Sequence, residues 1–217
     1  PYGFAWNRRV NEDNVDLNRN FLDHSKPHPE NPGYEELADA INPPDLSPEA
    51  MAESRAQLKA YADRHGAAAM QHALSAGQYT HADGVQFGGL EPVWSNRTLR
   101  NIIRKEMGSA ERVIFVDIHT GLGARGAGEM ICVEPETSGA YARMRRWWGD
   151  IVHSPVGGAS VSSDVPGSIP LCFAEVLKGR EVTSGGTGFG TCLLYTPAPA
   201  AELPRGSRGG CRILNKN

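Results

Sequence analysis

The stretch Asn14-Val15-Asp16-Leu17-Asn18-Arg19-Asn20-Phe21 sets a guanidinium, several carboxamides and a carboxylate side by side. An arginine fork can grip a carboxylate through two parallel hydrogen bonds, and a neighbouring amide can add a further donor to the same anion. Asn18 and Arg19 are therefore candidate substrate-binding residues, with Asp16 as a supporting carboxylate behind them. Far downstream, Asp117-Ile118-His119-Thr120-Gly121-Leu122-Gly123 follows an apolar run. In a regular strand Asp117 lies on the same face as His119, where it can orient the imidazole from behind. Anion grip plus a strand-end histidine suggests a metal hydrolase. A loop whose Asn and Asp residues cap turns is the other reading, and these residues alone leave both open.

A catalytic zinc normally needs three protein ligands and an open position, so His119 by itself is not enough. No other histidine completes the set by spacing. His24 and His28 are four apart, as on one helix face, but Pro27 and Pro29 argue against a helix there. His65 and His72 read as surface residues, His81 as a turn residue, and His153 as structural or exposed.

These side chains need a scaffold. Val113-Ile114-Phe115-Val116 reads as a strand buried on both faces, and polar residues at the carboxyl end of such a strand occupy the usual site position of an α/β sheet. Glu129–Val133 is a probable second strand by pattern, and 138–152 a basic, Trp-containing helix. Ser47-Pro48-Glu49 is a helix start, with a cap, a first-turn proline and an acid at the positive end of the dipole, running to Gly66. A short alanine-rich helix follows, capped at Gly77; the cleanest helix starts at Ser95 or Asn96 and stops at Gly108. Residues 1–21 read as turn, short strand and polar loop, 22–46 as an irregular excursion, and Ile169–Leu177 as helix or strand. Tyr79, His81 and Trp94 either pack the region 22–94 against the domain or line a pocket rim.

With 217 residues the chain is long enough for one sizeable α/β domain. The net charge of −3, with signs mixed throughout, gives no reason to expect nucleic acid or an anionic membrane as partner. No run approaches the roughly 18 apolar residues of a membrane span. Cys132, Cys172, Cys192 and Cys211 show no CxxC pairing, which fits thiols in a reducing, cytoplasmic setting. The domain is expected over 1–183 with an insertion at 22–94. Residues 184–217, rich in Gly and Pro, are expected to be a disordered tail.

Pro1-Tyr2-Gly3-Phe4, Arg8-Arg9-Val10-Asn11-Glu12, Asp16–Phe21 and Asp117–Gly121 together resemble the zinc carboxypeptidase superfamily, which includes succinylglutamate desuccinylases and aspartoacylases. The likeness is strongest to an uncharacterised, mainly bacterial branch known only as a domain of unknown function. It extends through Gly77–His81, Trp94–Leu99 and Asp164–Ile169, and so covers residues 1 to about 182. The resemblance implies a mixed central sheet with helices on both faces, and zinc as cofactor. It also implies a small-molecule or peptide substrate cleaved at an amide next to a carboxylate. His119 matches the last of three zinc ligands, Asn18 and Arg19 match the carboxylate-binding pair, and Arg9, with Arg8 close behind, matches the arginine that polarises the scissile carbonyl. Asp16 and Asp117 take supporting positions. The family's first two ligands, in an HxxE string, precede the turn at which this chain begins. The resemblance therefore implies a fragment lacking the N-terminal strands and inactive as it stands. Where the family has its catalytic Glu, in a Glu-Phe-Gly-Thr string, this chain has Gly188-Phe189-Gly190-Thr191. A reading-frame slip near residue 183 and a real degeneration, leaving a non-catalytic carboxylate-binding domain, are both compatible with that. Glu175 and Glu181 read as surface acids.

Overall fold

The apolar run at Val113 is the start of a long strand, and the rest of the molecule is arranged on the sheet it joins. The computed structural model describes residues 2–156 and 164–190. In chain order these form α1 (Tyr2–Ala5), a 3-10 turn (Leu17–Arg19), α2 (Pro32–Ile41), α3 (Pro48–His65), α4 (Ala67–Ser75), α5 (Trp94–Met107), β1 (Arg112–Arg125), β2 (Gly128–Cys132), α6 (Gly139–Trp148), a second 3-10 turn (Gly149–Ile151), β3 (Val152–His153), α7 (Ile169–Val176) and β4 (Glu181–Gly190). No helix is long and apolar enough to cross a membrane among these residues.

The sheet is four-stranded and mixed, in the order β1-β4-β2-β3. β4 runs parallel to β1 and antiparallel to β2, and β2 runs parallel to β3. Successive side chains of β4 point to opposite faces, and the two faces carry different helices. On one face the Ser184 hydroxyl donates to the Pro170 carbonyl of α7, and Phe115 of β1 stacks on Phe173 of α7 with ring centroids 4.0 Å apart. Ile103 of α5, Val113, Val182, Cys172 and Leu177 complete that core, each buried side chain stabilising by about 1.5–3 kcal/mol. On the other face Met144 of α6 packs with Met130, Cys132 and Val152, and Arg143 donates to the Thr183 hydroxyl. The fold is thus α/β with helices on both faces of a mixed sheet, as expected. β1 is one of the two edge strands among the described residues, and Ile114 and Ile118 are exposed on the α6 face, which α6 does not reach across.

Three readings need correction. Ser184–Gly190 is an interior strand paired on both sides, not the start of a tail. Glycine weakens a strand, but here it lets α6 lie against the sheet, and the two flanking ladders supply the backbone partners. The remainder of the expected tail, 191–217, lies outside the described residues. The excursion 22–46 contains α2. Asn31 caps it by accepting from the Tyr34 N–H, Pro32 fills its first position, and Leu37 and Ile41 turn inward onto Tyr61, Leu58 and Ala73 of the α3–α4 pair. Near the start, Tyr2–Ala5 is a helical turn rather than a strand. Ile169–Val176, left open between helix and strand, is helix.

The glycines of β4 differ in what they make room for. A Cβ on Gly185 would collide with the Ile131 carbonyl and lie 2.8 Å from Met144 Cε, whereas a Cβ on Gly188 would meet nothing closer than Ile131 Cδ1 at 3.7 Å. Gly185→Ala should therefore cost about 1–3 kcal/mol by overpacking, and Gly188→Ala should leave stability nearly unchanged. Urea denaturation midpoints of the two variants check this.

Candidate functional site

The segment 14–21 is held against the sheet by its own side chains. Asp16 caps the 3-10 turn: its Oδ1 accepts from the Asn18 N–H at 3.0 Å. Asn20 is fully buried, and its amide donates to the carbonyls of Gly88 and Glu91 while its Oδ1 accepts from the Val93 N–H and the Asn96 amide. Phe21 N–H donates to the Gly167 carbonyl. Gly167 has φ +76° and passes so close that a Cβ would lie 2.5 Å from the Arg19 carbonyl, so only glycine fits there.

Within that frame Asp16 Oδ2 accepts from Arg19 Nη1 at 3.2 Å and forms an ion pair with Arg9, whose Nε lies 3.0 Å away. Arg19 also donates through Nη2 to the Ser75 carbonyl, and its Nε is buried without a protein partner among the described residues. Burial holds the Arg19 guanidinium below its ordinary pKa; Asp16 pulls it back up, and Arg9 adds to the lowering. The two guanidiniums share this one carboxylate, and neither pairs with a second acid among the described residues. The two arginines are not equivalent: the Arg9 side chain is 58% exposed and that of Arg19 is 7% exposed.

Asp117 and His119 lie on the α7 face of β1, in register with Gly186 and Gly188 of β4. Asp117 Oδ2 is 2.7 Å from His119 Nε2, and the Asn18 amide nitrogen lies 3.4 Å from the same ring nitrogen. One nitrogen cannot donate to Asp117 and accept from Asn18 together. The shorter contact assigns the proton to Nε2, donating to Asp117, and leaves Nδ1 as the bare nitrogen. Burial raises the Asp117 carboxyl, but the hydrogen bonds from His119 and the Asn18 amide outweigh that and hold it below its usual range. Asn18 is fixed in turn, its Oδ1 accepting from the Ile169 N–H at 2.9 Å.

These residues share one cavity of about 330 Å³. Arg9, Asn18, Arg19, Asp117 and His119 line it, and its floor is bare strand at Gly186 and Gly188. It therefore sits at the carboxyl half of the parallel β1–β4 pair, where α/β sheets hold their ligands. Arg8 is not part of it; its guanidinium bonds the Asn14 carboxamide instead. Tyr79, His81 and Trp94 do not line it either. Tyr79 donates to the Arg19 carbonyl from below, His81 pairs with Glu35, and Trp94 is 66% exposed.

Sequence reasoning missed Gln86 and Ser168, which also form the wall. Gln86 Oε1 and Ser168 Oγ, like Arg19 Nε, are buried with no protein partner among the described residues. Such atoms are uncommon, and three of them belong to residues that line this one cavity. Gln86 also holds φ +59°, which costs a non-glycine residue about 1–2 kcal/mol. Ser168 stands in the Asp164–Ile169 string; nothing in the sequence marks Gln86.

Among the described residues no group of three or more His, Cys, Asp or Glu is placed to hold one ion. His119 with Asp117 fits one imidazole and its supporting carboxylate, but not a catalytic zinc site. A family model described as a protein of unknown function, DUF2817, matches residues 1–203. The chain belongs to the DUF2817 family. No curated protein and no solved structure matches it. The cavity is thus a property of a DUF2817 chain described from its own residues.

Two predictions follow from this geometry. Asp16→Ala strands the buried Arg19 charge and should cost about 3–5 kcal/mol, whereas Arg9→Ala removes an exposed partner and should cost under about 1 kcal/mol; urea unfolding of both variants measures the difference. The depressed Asp117 carboxyl contributes stability that is complete above its ordinary pKa of 3.8 and is lost as pH falls through the lower folded value. Asp117→Asn should therefore flatten the fall of stability on the acid side of pH 3.8 and leave the neutral range with no pH dependence from this group.

Proposed function

We propose that this DUF2817 chain carries the substrate-recognition side of a carboxypeptidase-like hydrolase site. Its ligand is a small amide or short peptide with a free carboxylate next to the amide. The observation that carries this reading is the shared carboxylate: Arg9 and Arg19 both lean on Asp16, and neither pairs with a second acid among the described residues, while Asp117 and Asp164 line the same cavity further off. Arg9 offers the reachable guanidinium edge, Asn18 a fixed amide donor, and Arg19 a buried charge behind them. His119, with its Nε2 proton held by Asp117, presents Nδ1 as a lone pair. The resemblance assigns that imidazole to zinc and the adjacent amide bond to hydrolysis. The described residues do not assemble three ligands, so no chemical step is derived through the metal.

A second reading, a non-catalytic domain that binds carboxylates, is favoured by Gly188. Its Cα lies in register with that of His119, and it brings no acid to the cavity.

Calorimetric titration with hippurate and with its carboxylate-free amide tests the recognition. Hippurate should bind and the amide should bind at least about tenfold more weakly. Arg9→Ala should weaken hippurate by about 10–100-fold while the fold is kept, and Gly188→Glu should weaken it as well by placing a like charge in the cavity. Equal binding of hippurate and its amide, or indifference to Arg9→Ala, would end the reading. Zinc-dependent release of benzoate from hippurate supports the hydrolase; binding without release at any zinc level supports the binding domain.

A further inference from the structure

His24 and His28 come together without a helix. The turn Asp23–Lys26, closed by the Lys26 N–H donating to the Asp23 carbonyl at 3.1 Å, carries the chain back so that His24 Nδ1 lies 3.2 Å from His28 Nε2. Both rings are anchored. His24 Nε2 lies 2.9 Å from the Asn20 carbonyl, and a carbonyl only accepts, so Nε2 carries the hydrogen and Nδ1 is a bare lone pair. His28 stacks on Tyr79 with centroids 5.0 Å apart and planes 17° from parallel. The two imidazoles stand nearly edge to face, 69° apart, with their nitrogens facing.

We propose that His24 Nδ1 and His28 Nε2 form a two-imidazole site for a divalent transition ion such as Zn²⁺, Ni²⁺ or Cu²⁺. Zinc–nitrogen bonds of about 2.0–2.1 Å at a tetrahedral angle set two ligating nitrogens about 3.3 Å apart. The observed 3.2 Å is close to that spacing and at the long end for a simple hydrogen bond. Imidazole nitrogen suits these ions rather than Mg²⁺ or Ca²⁺. A metal-bound histidine commonly donates its other N–H to a backbone carbonyl, which His24 already does. His24 also lines an open groove of about 430 Å³ that admits the ion and the waters completing its shell. Asp23 is not a ligand: its carboxylate is engaged by Ser25 and Lys26.

The site is separate from the cavity but tied to it. Asn20, which receives His24, follows Arg19, and Tyr79, which carries His28, donates its hydroxyl to the Arg19 carbonyl at 2.7 Å. An ion joining the two rings would clip the 20–28 segment behind the Arg19 turn.

Calorimetric titration of the full chain with ZnCl₂ and NiCl₂ tests this. One ion per chain should bind in the unaltered protein and in His119→Ala. His24→Ala and His28→Gln should each bind it more than roughly tenfold more weakly, a loss above about 1.4 kcal/mol. Imidazole ¹⁵N spectra of the unaltered chain guard against a folding defect in the variants, and zinc should shift both His24 Nδ1 and His28 Nε2. Absence of binding at millimolar metal, loss of the ion in His119→Ala rather than in His28→Gln, or spectra in which neither ring responds would overturn the site. Hippurate binding by His28→Gln reports on the cavity alone, so the two ideas fail separately.

Discussion

Asp16 is the constraint on which the rest of the site depends. One buried carboxylate caps the turn that presents Asn18, neutralises most of Arg19 and positions Arg9. A buried ion pair stabilises little relative to an apolar pair of the same shape, because desolvating both charges offsets their attraction. Its value here is geometric. Arg19 cannot be in this place without Asp16, and with both in place the exposed Arg9 is drawn to the rim of the cavity rather than into solvent. The Asn20 amide does the corresponding work in neutral form: two donors and an acceptor, all satisfied, join the turn to residues 88–96. The Asn18–Arg19 turn is therefore over-determined from behind.

The sheet contributes the opposite property, empty space. β4 places Gly185 against α6 and Gly186 and Gly188 towards the cavity, so one glycine-rich strand permits close packing on one face and a bare floor on the other. Strand alternation makes this division unavoidable: residues of odd number face α6 and residues of even number face α7 and the cavity. On β1 the alternation is offset by one, so the odd-numbered Asp117 and His119 align with Gly186 and Gly188 and arrive on one wall beside Asn18.

Much of this was legible in the sequence. The apolar run at Val113 marked a strand, and the period-two spacing of Asp117 and His119 put them on one face. The cap and proline at Ser47-Pro48 marked α3, which begins at Pro48. What was not legible follows from physics that sequence windows do not carry. Glycine at Ser184–Gly190 reads as disorder because its propensity for strand is poor, yet two neighbouring strands override propensity. α2 was hidden by flanking prolines, although Asn31-Pro32 is itself a helix start. The DLNRNF string pointed to an arginine grip, but only the three-dimensional arrangement divides the work, with Arg19 buried as the fixed charge and Arg9 left at the rim. Gln86 enters the wall through a left-handed backbone that no residue pattern announces.

The register of Gly188 against His119 connects the fold to the chemistry most sharply. Backbone pairing alone places position 188 beside the imidazole and on the cavity face, whatever residue stands there. A carboxylate at that point would reach the space that the His119–Asp117 pair borders. Glycine there keeps the room open. The wall formed by Arg9 and Arg19 does not depend on position 188, since its supports run through Asp16 and Asn20. The guanidinium wall and the strand that carries position 188 are therefore built by separate elements, the 3-10 turn at Leu17–Arg19 and β4.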